Sequence, residues 1–212
     1  MLLKKIHHHL NKDEGLLKHA SILFIAMSIG NVLNYLFQFY MGRTLGPEQY
    51  GVLGVLLSLM YIMSVPGGTI QTFVTKYVSK FSVKNPKAIG WIIINTFKKL
   101  FFLGILFLIL FTIFSPQIAS FLKISQVATV IAPGFILFLS LLSPLFLSAL
   151  RGVQNFNGIG LTNIINFSTK LFLGIFFVSL GFGVLGALAG VGLGTLLAII
   201  FSLYLLRKYI FT

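Results

Sequence analysis

The chain has 212 residues, of which 57% are hydrophobic and only 9% are charged. Because average soluble domains carry roughly 25% charged residues, the composition argues against a soluble protein and indicates one that lies in a lipid bilayer. The net charge of +13 belongs to residues that flank apolar stretches, so it favours membrane orientation and contact with anionic membrane lipid over a nucleic-acid partner.

Six apolar stretches are each long enough to cross ~30 Å of hydrocarbon. They predict an all-α, polytopic membrane protein with a six-helix transmembrane domain over residues 16–208. The predicted spans are residues 17–40, 52–74, 89–114, 128–150, 158–180 and 183–206. Residues 1–15, with a cluster at His7, His8 and His9, are predicted to form a solvated N-terminal tail, and residues 209–212 a short C-terminal end.

Lysine and arginine residues are distributed unequally between the two sides of these spans. Thirteen lie on the side of both termini and two lie on the opposite side. The positive-inside rule therefore predicts a multi-pass protein of the cell membrane with both termini in the cytoplasm. The even number of spans agrees, because it places both termini on one side.

The first span carries polar residues at helical spacing, which are Ser28, Asn31, Tyr35 and Gln38. The second span is interrupted by Pro66, Gly67 and Gly68, which predict a kink or a break. Broken membrane helices are typical of transporter binding sites. Asn31 and Gln38 are therefore candidate substrate contacts, and the break is a candidate part of the site.

Residues 76–87 are basic and contain Asn85-Pro86, which indicates a cytoplasmic connection. Ser115-Pro116 is predicted to end the third span. The fourth span is predicted to bend at its prolines and is followed by Arg151.

The fifth span places Asn163, Asn166 and Lys170 on one helix face. In the sixth span, small residues four apart predict close approach of another helix. These residues are Gly186, Gly190 and Gly194.

Lys170 lies about ten residues from either end of its predicted span, where a charged side chain costs at least ~2.5–3.5 kcal/mol. The chain has no acidic residue at that depth, so the partner is a set of carbonyls, another subunit or domain, or an anionic substrate. The polar stripes favour a hydrated cavity, with helix–helix hydrogen bonding as the alternative. Arg43 and Arg151 are candidate contacts at the two mouths, with lipid headgroups as their alternative ligands.

The sequence does not predict an enzyme. The acids are Asp13, Glu14 and Glu48, all outside the spans, and the one histidine within a predicted span, His19, lies at the membrane edge. Without cysteine, the helices offer no nucleophile–base pair and no metal site or cofactor site is predicted.

Four motifs of the sequence are GRTLGPEQYG at residues 42–51, Gly67-Gly68 with VTKYVS at 74–79, LRGVQNF at 150–156 and GVLGA at 183–187. Together they resemble the polysaccharide biosynthesis, or O-antigen (Wzx-type) flippase, family of the multidrug/oligosaccharidyl-lipid/polysaccharide (MATE-like) exporter superfamily. The resemblance extends over residues 16–206. Family members have about twelve to fourteen spans in two lobes, so the chain resembles one N-terminal lobe.

The resemblance implies a MATE-like fold that moves a lipid-linked saccharide diphosphate to the outer leaflet by alternating access, together with a second lobe supplied by a C-terminal half or another copy. Position and charge make Arg43, Arg151 and Lys170 candidate phosphate contacts. The alternatives are an ion-coupled small-molecule efflux protein of the same superfamily, which predicts an acidic residue in the membrane, and a truncated or accessory subunit that does not transport.

Overall fold

The structure, a computed structural model, describes residues 2–84, 87–121 and 127–210, with side chains from Ala20 onward apart from residues 63–64, 66, 83–87 and 122–128. The described residues form seven α-helices and no strand. The helices are α1 (Leu2–Thr44), α2 (Gly46–Ser64), α3 (Pro66–Lys84), α4 (Lys87–Phe121), α5 (Val127–Gly152), α6 (Phe156–Ser179) and α7 (Gly183–Ile210).

Five of these helices contain a segment long and apolar enough to cross a membrane, and α2 and α3 together form a sixth, bent candidate span. The prediction of an all-α membrane protein with six spans is therefore confirmed. Between Gly46–Ile62 and Gly67–Ser82 the chain bends by 43°. The bend falls where Pro66 begins α3, and proline is tolerated at a helix start because its missing N–H is not needed there.

Three predicted boundaries differ from the structure. α1 begins at Leu2, so the predicted tail is helical in its backbone, while the side chains of His7, His8 and His9 lie outside the described part. α3 continues to Lys84 through the predicted basic connection, because Val74 and Val78 are fully buried one turn apart and extend the packed face. Asn85-Pro86 lies outside the described residues.

The third difference concerns Pro116, which does not end its helix. α4 continues to Phe121. A proline inside a helix leaves the carbonyl four residues earlier without its N–H donor, and here that carbonyl belongs to Thr112. The Ser115 hydroxyl donates to Thr112 O at 2.7 Å and so supplies the missing hydrogen bond.

Helix α5 lies at the centre of the bundle, where it packs against α3, α4 and α7, while α7 also packs extensively against α6 and α6 against α1. α6 and α7 are antiparallel, since Gly186 approaches Phe177 and Gly194 approaches Asn166. α1 and α6 are parallel, since Gly160 meets Ala26 and Gly174 meets Phe37.

The two ends of the bundle differ in charge. We call the end formed by the last turns of α3, α5 and α7 and the first turns of α4 and α6 the basic end. Towards it lie seven described cationic side chains, which are Lys76, Lys80, Lys98, Lys99, Arg151, Arg207 and Lys208. Towards the opposite end, the far end, the described charged side chains are Arg43 and Glu48.

Candidate functional site

The backbone around Lys170 is held by the glycines of α7. An ideal Cβ on Gly190 would lie 2.8 Å from Lys170 O, and one on Gly194 would lie 3.2 Å from Lys170 N and 3.3 Å from Lys170 Cβ. Only glycine allows α7 to approach α6 this closely. The predicted small-residue ladder therefore does bring another helix close, and the residue that it positions is Lys170.

The Lys170 side chain reaches across to α1. Its Nζ donates a hydrogen bond to Asn34 Oδ1 at 2.7 Å and lies 4.3 Å from the centroid of the Phe37 ring. Phe37 is fully buried, whereas Lys170 and Asn34 are half-buried. The ammonium thus stands between an amide oxygen and the face of an aromatic ring, both of which stabilise a cation without neutralising it.

The charge of Lys170 has no anionic partner among the described side chains. Glu48 is the one carboxylate whose side chain is described, and it lies in the first turn of α2 at the far end. Asn34 accepts from one of the three N–H donors of the ammonium. The remaining donors can hold an anionic group that reaches this depth.

Asn163 and Asn166 lie on the same face of α6 and towards the basic end from Lys170. Both side chains are half-buried, and neither makes a hydrogen bond within the described part of the chain. Asn31 is exposed on α1. These amides lie within about two helical turns of Lys170 or Asn34 along α6 and α1, and amide groups can bind the hydroxyl groups of a sugar.

The side chains of the other candidate residues contact groups other than Lys170. Gln38 accepts a hydrogen bond from the Tyr50 hydroxyl at 3.3 Å, so it joins α1 to α2. Arg43 is exposed, with Cζ 4.6 Å from the Phe39 ring centroid. At ~1.5 Å of rise per residue it lies about 13 Å beyond Asn34 along α1.

Arg151 lies at the basic end, where Nη1 donates to Gln71 Oε1 at 2.9 Å. The structure therefore distributes the three candidate cations along the bundle instead of gathering them into one cluster. Of the helix-break residues, Gly67 packs against α5, where its ideal Cβ would lie 3.2 Å from Pro144 Cγ.

Sequence reasoning missed the direct partners of the candidate cations. Asn34 lies within the polar run of α1, which is a usable signal, but the neighbouring polar residues have the same signal. Phe37 and Gln71 have no sequence signal that separates them from other buried rings or amides.

The arrangement around Lys170 offers a positive charge and hydrogen bonds to a ligand. The described residues contain no group of three His, Cys, Asp or Glu side chains that could hold a metal ion. Asn34, Asn163 and Asn166 supply amide groups, which both donate and accept hydrogen bonds.

Comparison with known proteins places the sequence in a family. The family described as "Polysaccharide biosynthesis protein" matches residues 16–212. No curated protein matches the chain.

Three solved structures are similar to the chain. A MOP superfamily transporter from Pyrococcus furiosus, whose binding pocket is described as having reverse polarity, has a TM-score of 0.76 at 18% identity, over 92% of this chain and 45% of that protein. A MATE protein in the straight conformation has a TM-score of 0.72 at 21% identity, over 90% and 44%. An outward-facing multidrug resistance MATE transporter of the MOP superfamily has a TM-score of 0.70 at 22% identity, over 89% and 44%.

These similarities establish the fold. The chain has the fold of one half of a MATE-like protein and spans about 45% of the length of the structures that it matches.

Proposed function

The chain belongs to the polysaccharide biosynthesis protein family, and from that premise we propose that it is one lobe of a membrane transporter that flips lipid-linked oligosaccharides between the bilayer leaflets. A second lobe, either a C-terminal half or another copy, completes the pathway. The substrate is bound between the lobes, and rocking of one lobe against the other exposes the site to each side of the membrane in turn.

One observation carries this proposal, namely the uncompensated ammonium of Lys170 within the bundle. It is half-buried and its described hydrogen-bond acceptor is the neutral Asn34 amide. A cation without a counter-ion in a low-dielectric interior favours an anionic ligand. The diphosphate of a lipid-linked saccharide supplies that charge, and the amides of Asn163 and Asn166 supply hydrogen bonds for its sugars.

An ion-coupled efflux protein of the same superfamily is supported less well. That function needs a site that binds a proton or a metal cation, and acidic side chains are the usual ligands. In the described spans the charged residue nearest the middle is Lys170, which repels a cation. The MATE-like structural neighbours, one of which is a multidrug resistance transporter, fit this alternative, but at 21–22% identity they support the fold alone.

The test is a headgroup-translocation assay in proteoliposomes that contain a fluorescent lipid-linked oligosaccharide, with the chain reconstituted alone and together with a candidate second lobe. Lys170→Met removes the charge, retains most of the side-chain length and removes the cost of a buried ammonium. We expect it to reduce translocation at least tenfold while the protein inserts and melts normally.

Lys98→Met is the matched control, because Lys98 is exposed on α4 and its loss should leave translocation unchanged. Equal transport by Lys170→Met and wild type would contradict the proposed role of Lys170. Absence of transport with every second lobe would favour an accessory subunit that does not transport.

A further inference from the structure

Arg151 points in an unexpected direction for a cation at the end of a membrane helix. Such side chains usually extend outward to water and lipid headgroups, but Arg151 Nη1 donates to Gln71 Oε1 at 2.9 Å. Thr75, one turn nearer the basic end than Gln71, already contacts Ser148 O at 3.4 Å. The bond to Gln71 therefore draws the guanidinium back along α3 towards the middle of the bundle.

The backbone that carries Arg151 is fixed by the turn between α5 and α6. Gly152 packs against α3, where its ideal Cβ would lie 2.6 Å from Val78 Cβ. Asn155 Oδ1 accepts from Gly158 N at 3.0 Å and caps α6. A larger residue at Gly152 would separate α5 from α3, so the close packing here sets where the guanidinium can reach.

The guanidinium keeps most of its binding capacity. Gln71 is neutral and accepts from one of the five N–H donors of arginine, and within the described part of the chain the guanidinium has no other hydrogen-bond or charged partner. Its side chain is exposed. An acidic residue at position 71 would hold Arg151 equally well but would neutralise it, whereas an amide orients the side chain and leaves the positive charge for a ligand.

We infer that Arg151, oriented by Gln71, forms a second anion site at the basic end that binds the phosphate of a lipid headgroup. Guanidinium binds phosphate oxygens in a bidentate geometry, which a lysine cannot reproduce. The surrounding cations at this end attract an anion to it. Gln71 is a positioning residue, since it acts through Arg151.

The site is separate from Lys170. Lys170 lies fourteen residues along α6 from Phe156, or about 21 Å at ~1.5 Å per residue. An arginine side chain spans only a small part of that length, so the two cations remain apart along the bundle. A diphosphate cannot bridge that distance. Resting on the proposed function, the inference is that Arg151 binds the headgroup before or after Lys170 does, at a different stage of transport.

The test uses the absence of cysteine from the chain. Thr72 is exposed and adjacent to Gln71, so Thr72→Cys introduces a single reactive thiol beside the site. In phosphatidylcholine nanodiscs we expect geranylgeranyl diphosphate to slow maleimide labelling of this thiol at least fivefold. Geranylgeraniol, which has the same tail without phosphate, should not slow it. Ser58→Cys on α2 is the control thiol, and neither compound should protect it.

Variants in the Thr72→Cys background separate this site from general effects of charge. Arg151→Ala and Gln71→Glu should both abolish protection. Arg207→Ala also removes one cation from the basic end, but Arg207 stacks at 4.4 Å on Tyr204 and makes no hydrogen bond to Gln71. This variant should therefore retain protection. Lys170→Met should also retain it. Protection by geranylgeraniol, loss of protection with Arg207→Ala, or loss with Lys170→Met would each overturn the inference.

Two further measurements keep the result interpretable. Native mass spectrometry without any introduced cysteine is done in the Lys170→Met background, so that the Lys170 site does not contribute. There, adding Arg151→Ala should reduce the bound diphosphate at least fivefold, and equal binding would contradict the site. If nanodiscs with 30% phosphatidylglycerol and no added diphosphate protect the thiol as well as geranylgeranyl diphosphate does, the anion site is supported and its ligand is the headgroup of an ordinary anionic membrane lipid. If the diphosphate protects the thiol but no translocation is observed, the Arg151 site stands and the proposed function is rejected. If translocation is observed without protection, the proposed function stands and the Arg151 site is rejected.

Discussion

The closest helix–helix contact near the candidate site gives a prediction whose magnitude follows from the structure. In Gly190→Ala, the new methyl group would lie 2.6 Å from Gly174 N, 2.7 Å from Gly174 Cα and 2.8 Å from Lys170 O. All three are backbone atoms, so no side chain can rotate away. An ordinary contact needs about 3.4–4.0 Å, so α6 and α7 must separate by roughly 1 Å.

Overpacking of this kind costs about 1–3 kcal/mol, and a rigid backbone neighbour favours the upper half of that range. For a chain of this length, 1 kcal/mol lowers the melting temperature by about 2–4 °C, so we expect a decrease of about 4–12 °C. Because the carbonyl of Lys170 is one of the displaced atoms, translocation should also fall.

The assay is thermal unfolding of the detergent-solubilised protein, followed by fluorescence or by loss of monomer on gel filtration. Gly54→Ala is the matched control, because its ideal Cβ meets nothing within 4 Å and alanine favours a helix by about 0.8–1 kcal/mol over glycine. Its melting temperature should be unchanged or higher. If Gly190→Ala has the same melting temperature as Gly54→Ala and wild type, the α6–α7 contact at Gly190 is looser than in the structure.

Two other substitutions test individual hydrogen bonds. Asn34→Leu removes the acceptor of Lys170 Nζ and leaves a half-buried ammonium without that hydrogen bond, so we expect the stability to fall by about 1–3 kcal/mol. The double variant with Lys170→Met should recover this stability. A loss that persists in the double variant would mean that Asn34 acts independently of Lys170. Ser115→Ala removes the hydroxyl that donates to Thr112 O. Because hydrogen bonds between membrane groups contribute about 0.6–2 kcal/mol, we expect a small decrease in melting temperature, which Ser115→Thr should restore. No decrease would show that water or relaxation of α4 satisfies the Thr112 carbonyl.

The sequence determined the class of protein. Runs of about twenty apolar residues can exist in water-exposed form only at great cost, so their number and length predicted a helical membrane domain before any packing was known. The glycine spacing in α7 likewise predicted close helix packing, because only small residues allow it, and helical periodicity placed Asn163, Asn166 and Lys170 on one face.

Only the tertiary structure decided which groups meet. Periodicity describes one helix at a time, so it could not show that α6 is the partner of the α7 glycines, that Asn34 accepts from Lys170, or that Gln71 turns Arg151 inward. It also could not show that Ser115 carries α4 past Pro116 or that the three cations lie apart, because both depend on contacts and distances in three dimensions. Local pattern defines helices and their faces, whereas the pairing of faces depends on how all the helices fill one common volume.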